Sequence, residues 1–235
     1  LLKNKRVFMV EAVLKKINLK EVMFANISLS LSKENSNAIK TLALAFMVVD
    51  HIGAVFFPHL VFLRIIGRLA FPLFLYQLSI SSEKTQHPQR YFFYLLLFAL
   101  FSQFPYFLLF GLKFNILFSF LFYALFVFVL KRGYYVLLPL IFFGAIFTDA
   151  GWYGLVLMLV FVFIRGEILK MILFALLTII VVLFEHNTIQ LYSLFSIFLI
   201  AGIFLLNLRL KINRHFFYFA YLGHLLLILG VKALL

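Results

Sequence analysis

From residue 38 onward the chain is a near-continuous succession of strongly apolar runs, separated by short gaps that hold most of the Lys and Arg of that region. A helix needs about twenty mostly apolar residues to cross a bilayer, and in lipid every backbone polar group must be bonded within the protein. Such runs leave one fold class: an all-α, polytopic bundle of transmembrane helices. Counting the runs gives about nine, near 38–58, 60–82, 90–111, 115–130, 134–148, 151–165, 168–184, 188–206 and 215–234. The fourth to sixth are short, so half-spanning or re-entrant segments are expected there. No internal repeat or low-complexity linker divides 38–235, which is expected to be one transmembrane domain.

Composition excludes most alternatives. Hydrophobic residues make up 66% of the 235 positions and charged residues only 12%, whereas soluble domains run near half apolar and a quarter charged. The net charge of +13 does not imply nucleic-acid binding, because no basic face is backed by a soluble fold. With no cysteine, disulfides, thiolate metal sites and cysteine nucleophiles are all excluded. The histidines show no zinc-ligand spacing, so no metal is expected.

The basic residues set the orientation. One side of the alternating topology holds the N-terminal segment, Lys84 with Arg90, Lys131 with Arg132, Arg165 with Lys170, and Arg209, Lys211 and Arg214; the other holds only Lys113 and Lys232. Positive charge accumulates on the cytoplasmic side, so the N-terminus is expected to be cytoplasmic and the C-terminus outside, which requires an odd helix count. Residues 1–37 are polar and basic, with Val10, Val13, Leu14 and Ile17 at helical spacing. They read either as an amphipathic helix on an anionic membrane face or as a poorly ordered extension. No cleavable signal pattern is visible, since the first long apolar run comes late.

Polar groups inside apolar helices are costly, so they pair, face a cavity or act. Asp50 and His51 lie late in the first run. Arg64 and Arg68 follow in the second, one turn apart and therefore on one face. Gln103 and Pro105 interrupt the third, Asn115 opens the fourth, Asp149 precedes Gly151-Trp152-Tyr153, and His224 sits inside the ninth. In the expected topology most of these fall in the outer half, and Arg68 and His224 come nearer mid-depth. One shared polar cavity would account for that layer. Asp50 reads either as a structural counter-ion of the arginines or as a member of a site; Asp149 reads also as a helix cap. His51 points about 100° away from Asp50 around the helix, free to face a cavity and move protons near neutral pH. The two guanidinium groups suit a phosphate or carboxylate.

These residues carry a family resemblance. The strings LALAFMVVDHIGAVFFP (42–58), LRIIGRLAFPLFLYQLS (63–79), FALFSQFPYFLLFG (98–111), NILFSF (115–120), TDAGWYGLVLMLVF (148–161) and FFYFAYLGHLLLIL (216–229) resemble, in order, the TraX family of membrane proteins. That family is named for the conjugation protein that N-acetylates pilin, and it is similar to multi-span membrane acyltransferases. The resemblance implies a bacterial inner-membrane acyltransferase that moves acetyl from acetyl-CoA to an amine or hydroxyl of a protein, pilin or glycan acceptor. By resemblance His51 is the base, Asp50 organises the site, and Arg64 and Arg68 hold the donor or an oxyanion. Gln103, Asn115, Asp149, Tyr153 and His224 would line the same site. Gln103 stands where a family Glu is expected, and Leu222-Gly223 replaces the expected Pro-Leu before His224. The residues alone leave two rivals open: a proton-coupled transporter, and a non-enzymatic assembly protein whose charges only hold the bundle together.

Overall fold

The computed structural model describes residues 33–206 and 208–235; the earlier part of the basic N-terminal segment lies outside the described residues. The described helices are α1 (Lys33–Phe56), α2 (Val61–Gly67), α3 (Ala70–Lys84), α4 (Pro88–Phe110), α5 (Ile116–Arg132), α6 (Leu138–Ile146), α7 (Gly151–Phe163), α8 (Glu167–Glu185), α9 (Ser196–Leu205) and α10 (Arg214–Leu234). The 3-10 segments Tyr135–Leu137 and Thr188–Phe195 lead directly into α6 and α9. With α2 and α3 taken as one rod, the described residues make nine rods, each over one of the expected runs. Six rods are long and apolar enough to cross a membrane: Asn35–Phe56, Val61–Lys84, Pro88–Phe110, Glu167–Glu185, Thr188–Leu205 and His215–Leu234. This is a multi-pass membrane protein. Tyr135–Ile146 and Gly151–Phe163 are shorter apolar helices; at about 1.5 Å per residue neither reaches across a hydrocarbon core of about 30 Å.

The outward surface is apolar, as lipid requires. Phe101 and Phe104 on α4 are 61% and 68% exposed, a placement that water would disfavour and acyl chains do not. Inside, α1 packs against α2, α3, α9 and α10, while α7 packs on α3, α5, α6 and α8.

The first helix begins earlier than the hydropathy suggests. Asn35 and Asn37 are buried; Asn35 donates to the Leu208 carbonyl at 3.0 Å, and Asn37 donates to the Leu210 and Ile212 carbonyls, each at 3.0 Å. These amides satisfy backbone acceptors in the linker between α9 and α10, which a polar-looking stretch can do once that linker is folded against it. Gln103 and Pro105 do not interrupt the third rod: α4 runs from Pro88 to Phe110 with Pro105 inside it. The break falls instead between α2 and α3. There Arg68 N–H reaches both Arg64 and Ile65 carbonyls, and Leu69 N–H bonds Ile66, a tightened turn. Pro72 has no N–H for the Arg68 carbonyl and its ring crowds that oxygen, which accounts for the interruption.

Two sets of contacts tie the gaps between rods together. On one side, Lys131 pairs with Glu83 at 3.3 Å, and α1 begins against the linker before α10. Elsewhere Phe114 and Thr148 form an isolated parallel bridge, with Asp149 N–H bonded to the Phe114 carbonyl at 2.9 Å. That zipper joins the α4–α5 and α6–α7 connections, both assigned to one side from sequence.

Candidate functional site

Asp50 and His51 occupy the last two turns of α1 and point to different partners, as neighbours about 100° apart must. Asp50 faces the α2–α3 rod. Its carboxylate meets Arg64 Nη1 at 2.8 Å and Arg68 Nη2 at 3.4 Å, and Arg64 also donates to the Asp50 carbonyl at 3.2 Å. One turn separates the arginines, so a single carboxylate holds both. A Cβ on Gly67 would collide with the Asp50 carboxylate; the glycine in Arg64-Ile65-Ile66-Gly67-Arg68 is what lets the acid lie against the backbone between the two guanidinium groups. Asp50 does not consume all of Arg68: its Nε is buried and holds no hydrogen bond. A buried N–H without an acceptor is a donor waiting for one.

His51 faces α10. Its Nδ1 lies 2.8 Å from His224 Nε2, and His224 Nδ1 lies 3.1 Å from the Ala220 carbonyl. The direction of this chain follows from the carbonyl, which only accepts. His224 Nδ1–H therefore donates to Ala220, its Nε2 lone pair accepts, and His51 Nδ1–H donates to it. With both rings neutral, the His51 Nε2 lone pair is left over. The backbone of α10 thus fixes the His51 tautomer from two residues away, as an orienting group does in a catalytic triad. Phe110 packs on the His51 ring with centroids 4.8 Å apart, holding its plane.

Asp50, His51, Arg64 and Arg68 line a cavity of about 610 Å³, together with Asp149 and Tyr153. Tyr153 donates to Thr178 at 3.0 Å, because the Thr178 hydroxyl already donates to the Phe174 carbonyl. Asp149 lines the cavity and does not cap α7, which starts at Gly151 without a side-chain cap. His224 reaches the cavity only through His51, since it is not among the lining side chains.

Two expected members are elsewhere. Gln103 and Asn115 do not line the cavity. Asn115 donates to the Ala99 carbonyl at 2.8 Å and to Gln103 Oε1 at 3.0 Å, and its own oxygen accepts from Leu117 N–H as the cap of α5. Gln103 completes the set by donating to the Lys113 carbonyl. Their side chains turn into the α4–α5 corner, where they bond backbone groups and each other.

Sequence reading missed Tyr106, Lys113, Trp152, Glu185 and Gln190, which also line the cavity. Glu185 and Gln190 flank the left-handed His186 that ends α8, a loop-end position that looks solvated in sequence. Among the described residues no group of three or more His, Asp or Glu is placed to hold a metal.

Comparison with known proteins adds the following. The model of the family described as "TraX protein" matches residues 35–232. A protein of Rickettsia prowazekii (strain Madrid E), printed as "Uncharacterized protein RP591", is 53% identical over 36 residues, which is 15% of this chain and 14% of that one. The chain thus covers about a seventh of the length of the curated relative it matches. No solved structure matches.

Proposed function

The chain belongs to the TraX family, and we propose that it is a membrane acyltransferase, moving acetyl from acetyl-CoA to an amine or hydroxyl presented at the Asp50–His51 cavity. The observation that carries this reading is the one-way hydrogen-bond chain from His51 through His224 to the Ala220 carbonyl. It leaves a nitrogen lone pair on a residue that lines the same cavity as Arg68, whose Nε has no partner.

His51 Nε2 takes the proton from the acceptor as its nitrogen or oxygen attacks the thioester carbonyl. The new C–N or C–O bond forms, negative charge collects on the carbonyl oxygen, and the Arg68 guanidinium stabilises it. The C–S bond then breaks, and the proton on His51 passes to the departing CoA thiolate. Asp50 holds the two guanidinium groups in register. The acceptor class is a protein or glycan group, with a pilin among the acceptors that the family resemblance implies. In this reading the protein lies in a bacterial cytoplasmic membrane, as the family suggests, and its distribution of Lys and Arg favours an N-terminus inside and a cavity toward the outer face.

Purified protein in nanodiscs, given acetyl-CoA and a membrane extract as acceptor source, should release free CoA. His51→Ala and Arg68→Ala should lower that release by about a hundredfold or more while the protein still folds. If the wild type neither binds nor turns over acetyl-CoA, the acyltransferase reading fails. If the variants lose folding and release together, Asp50, His51 and the arginines are structural.

A further inference from the structure

A second cavity of about 720 Å³ lies toward the opposite ends of α1 and α3. Its mouth carries Lys40, Lys84 and Arg90, and no carboxylate of the described residues lines it. Tyr91, Tyr94 and Tyr218 make its lining aromatic; the last two stack with centroids 6.3 Å apart, and Tyr218 stacks on Phe98 at 5.0 Å. Gln77 lines it too, 4% exposed, with a buried Oε1 that holds no hydrogen bond. Cations fit a polyphosphate, an aromatic lining fits a heteroaromatic base, and the unpartnered amide oxygen accepts a hydrogen bond from an amide or amino group.

The two cavities share a wall. Met47, Phe74, Ile116 and Tyr221 line both. On α1 the residues Lys40, Leu44, Met47 and His51 follow at spacings of four, three and four, one stripe of a helix, and each lines one or both cavities. Phe74 with Gln77 on α3 and Phe217 with Tyr221 on α10 continue the same route on the facing helices. From Lys40 to His51 the rise along α1 is about 16 Å.

We infer that the Lys40–Lys84–Arg90 cavity binds the nucleotide end of the acyl donor, and that the donor's arm passes the Met47–Phe74–Ile116–Tyr221 partition to present its thioester at His51 Nε2. This rests on the acyltransferase reading. Thirteen bonds separate the diphosphate from the sulfur in CoA, and an extended chain advances about 1.2 Å per bond, so the arm spans about 15 Å. That matches the rise between the two ends of the stripe. The site resolves a problem of sides, because the donor is made in the cytoplasm and the reacting residues lie toward the outer face. The nucleotide never has to cross; only its uncharged arm does.

Two substrates and two probes test it in phosphatidylcholine nanodiscs. The wild type should use acetyl-CoA about tenfold better in kcat/KM than S-acetylpantetheine, which lacks the nucleotide, and should bind ADP. In Lys84→Ala/Arg90→Ala that preference should collapse toward unity and ADP binding should fall by about tenfold or more. Met47→Trp should keep ADP binding and lose acetyl transfer from acetyl-CoA. An unchanged preference in the double variant, or undiminished acetyl-CoA turnover in Met47→Trp, overturns the inference while leaving an acyltransferase. Charge-dependent ADP binding without any acetyl turnover keeps a nucleotide site and overturns the function on which its role as donor site rests. If phosphatidylglycerol, and not ADP, is retained by the wild type and lost by the double variant in native mass spectrometry, the cavity holds a lipid headgroup and the inference is wrong.

Discussion

His51 Nδ1 and His224 Nε2, 173 positions apart in the chain, lie 2.8 Å from each other. Because His224 is committed to the Ala220 carbonyl, the bond can run in only one direction when both rings are neutral. Which His51 nitrogen keeps its lone pair is therefore chosen by the backbone of α10.

His224→Phe removes the acceptor for His51 Nδ1–H and frees the ring to take the other tautomer. Acetyl-CoA turnover should fall by about a hundredfold or more, in the manner of an orienting residue. His224→Gln, whose Oε1 can still accept from Nδ1–H, should recover part of that loss. A glutamine variant no better than phenylalanine would show that the hydrogen bond is not what His224 contributes.

Asp50→Ala leaves Arg64 and Arg68 facing each other without a counter-ion. The side chains are partly exposed, at 32% for Arg64 and 24% for Arg68, so the cost should be smaller than for a sealed pair: about 1–3 kcal/mol. Chemical or thermal unfolding in detergent measures it. No loss of stability would mean that solvent already screens the triad.

Gly67→Ala places a methyl group where the Asp50 carboxylate now lies. The carboxylate must move off the arginines or α2 must shift, at a cost of about 1–3 kcal/mol. The effect should be smaller in the Asp50→Gly background, where the obstruction is gone, and a double-mutant cycle reads the difference.

Asn115→Ala should behave as a structural change. It strips partners from the Ala99 carbonyl, Gln103 and Leu117 N–H together, worth about 2–3 kcal/mol of stability. Protein that remains folded should keep its KM for acetyl-CoA. A raised KM at unchanged stability would return Asn115 to the binding site.

Trp152 is the chain's one tryptophan and lines the His51 cavity. Its fluorescence should respond to acetyl-CoA and stay unchanged with ADP, which occupies the other cavity. Equal responses to both would place the nucleotide beside Trp152.

The apolar runs, the alternation of their basic gaps, and the Asp50–His51 and Arg64–Arg68 pairs were legible because each is a local property. A bilayer reads hydropathy over about twenty residues, and a helix puts positions four apart on one face. Gly67 could be noticed in the motif, though its reason could not, since that lies on α1. Gln103 and Asn115 show where such reading stops. Depth follows from position along a helix; the direction around it follows from neighbours, and both turned into the α4–α5 corner. The length of α1 was misjudged for the same reason, because Asn35 and Asn37 look solvated until the α9–α10 linker lies against them.

The sequence by itself determined that this chain is a membrane bundle of apolar helices, because transfer into lipid depends on composition over a short window. Only the tertiary structure decided which of those residues meet. Packing sets the rotation of each helix about its own axis: it joined His51 to His224, separated Asn115 from the cavity, and laid two cavities end to end along one stripe of α1.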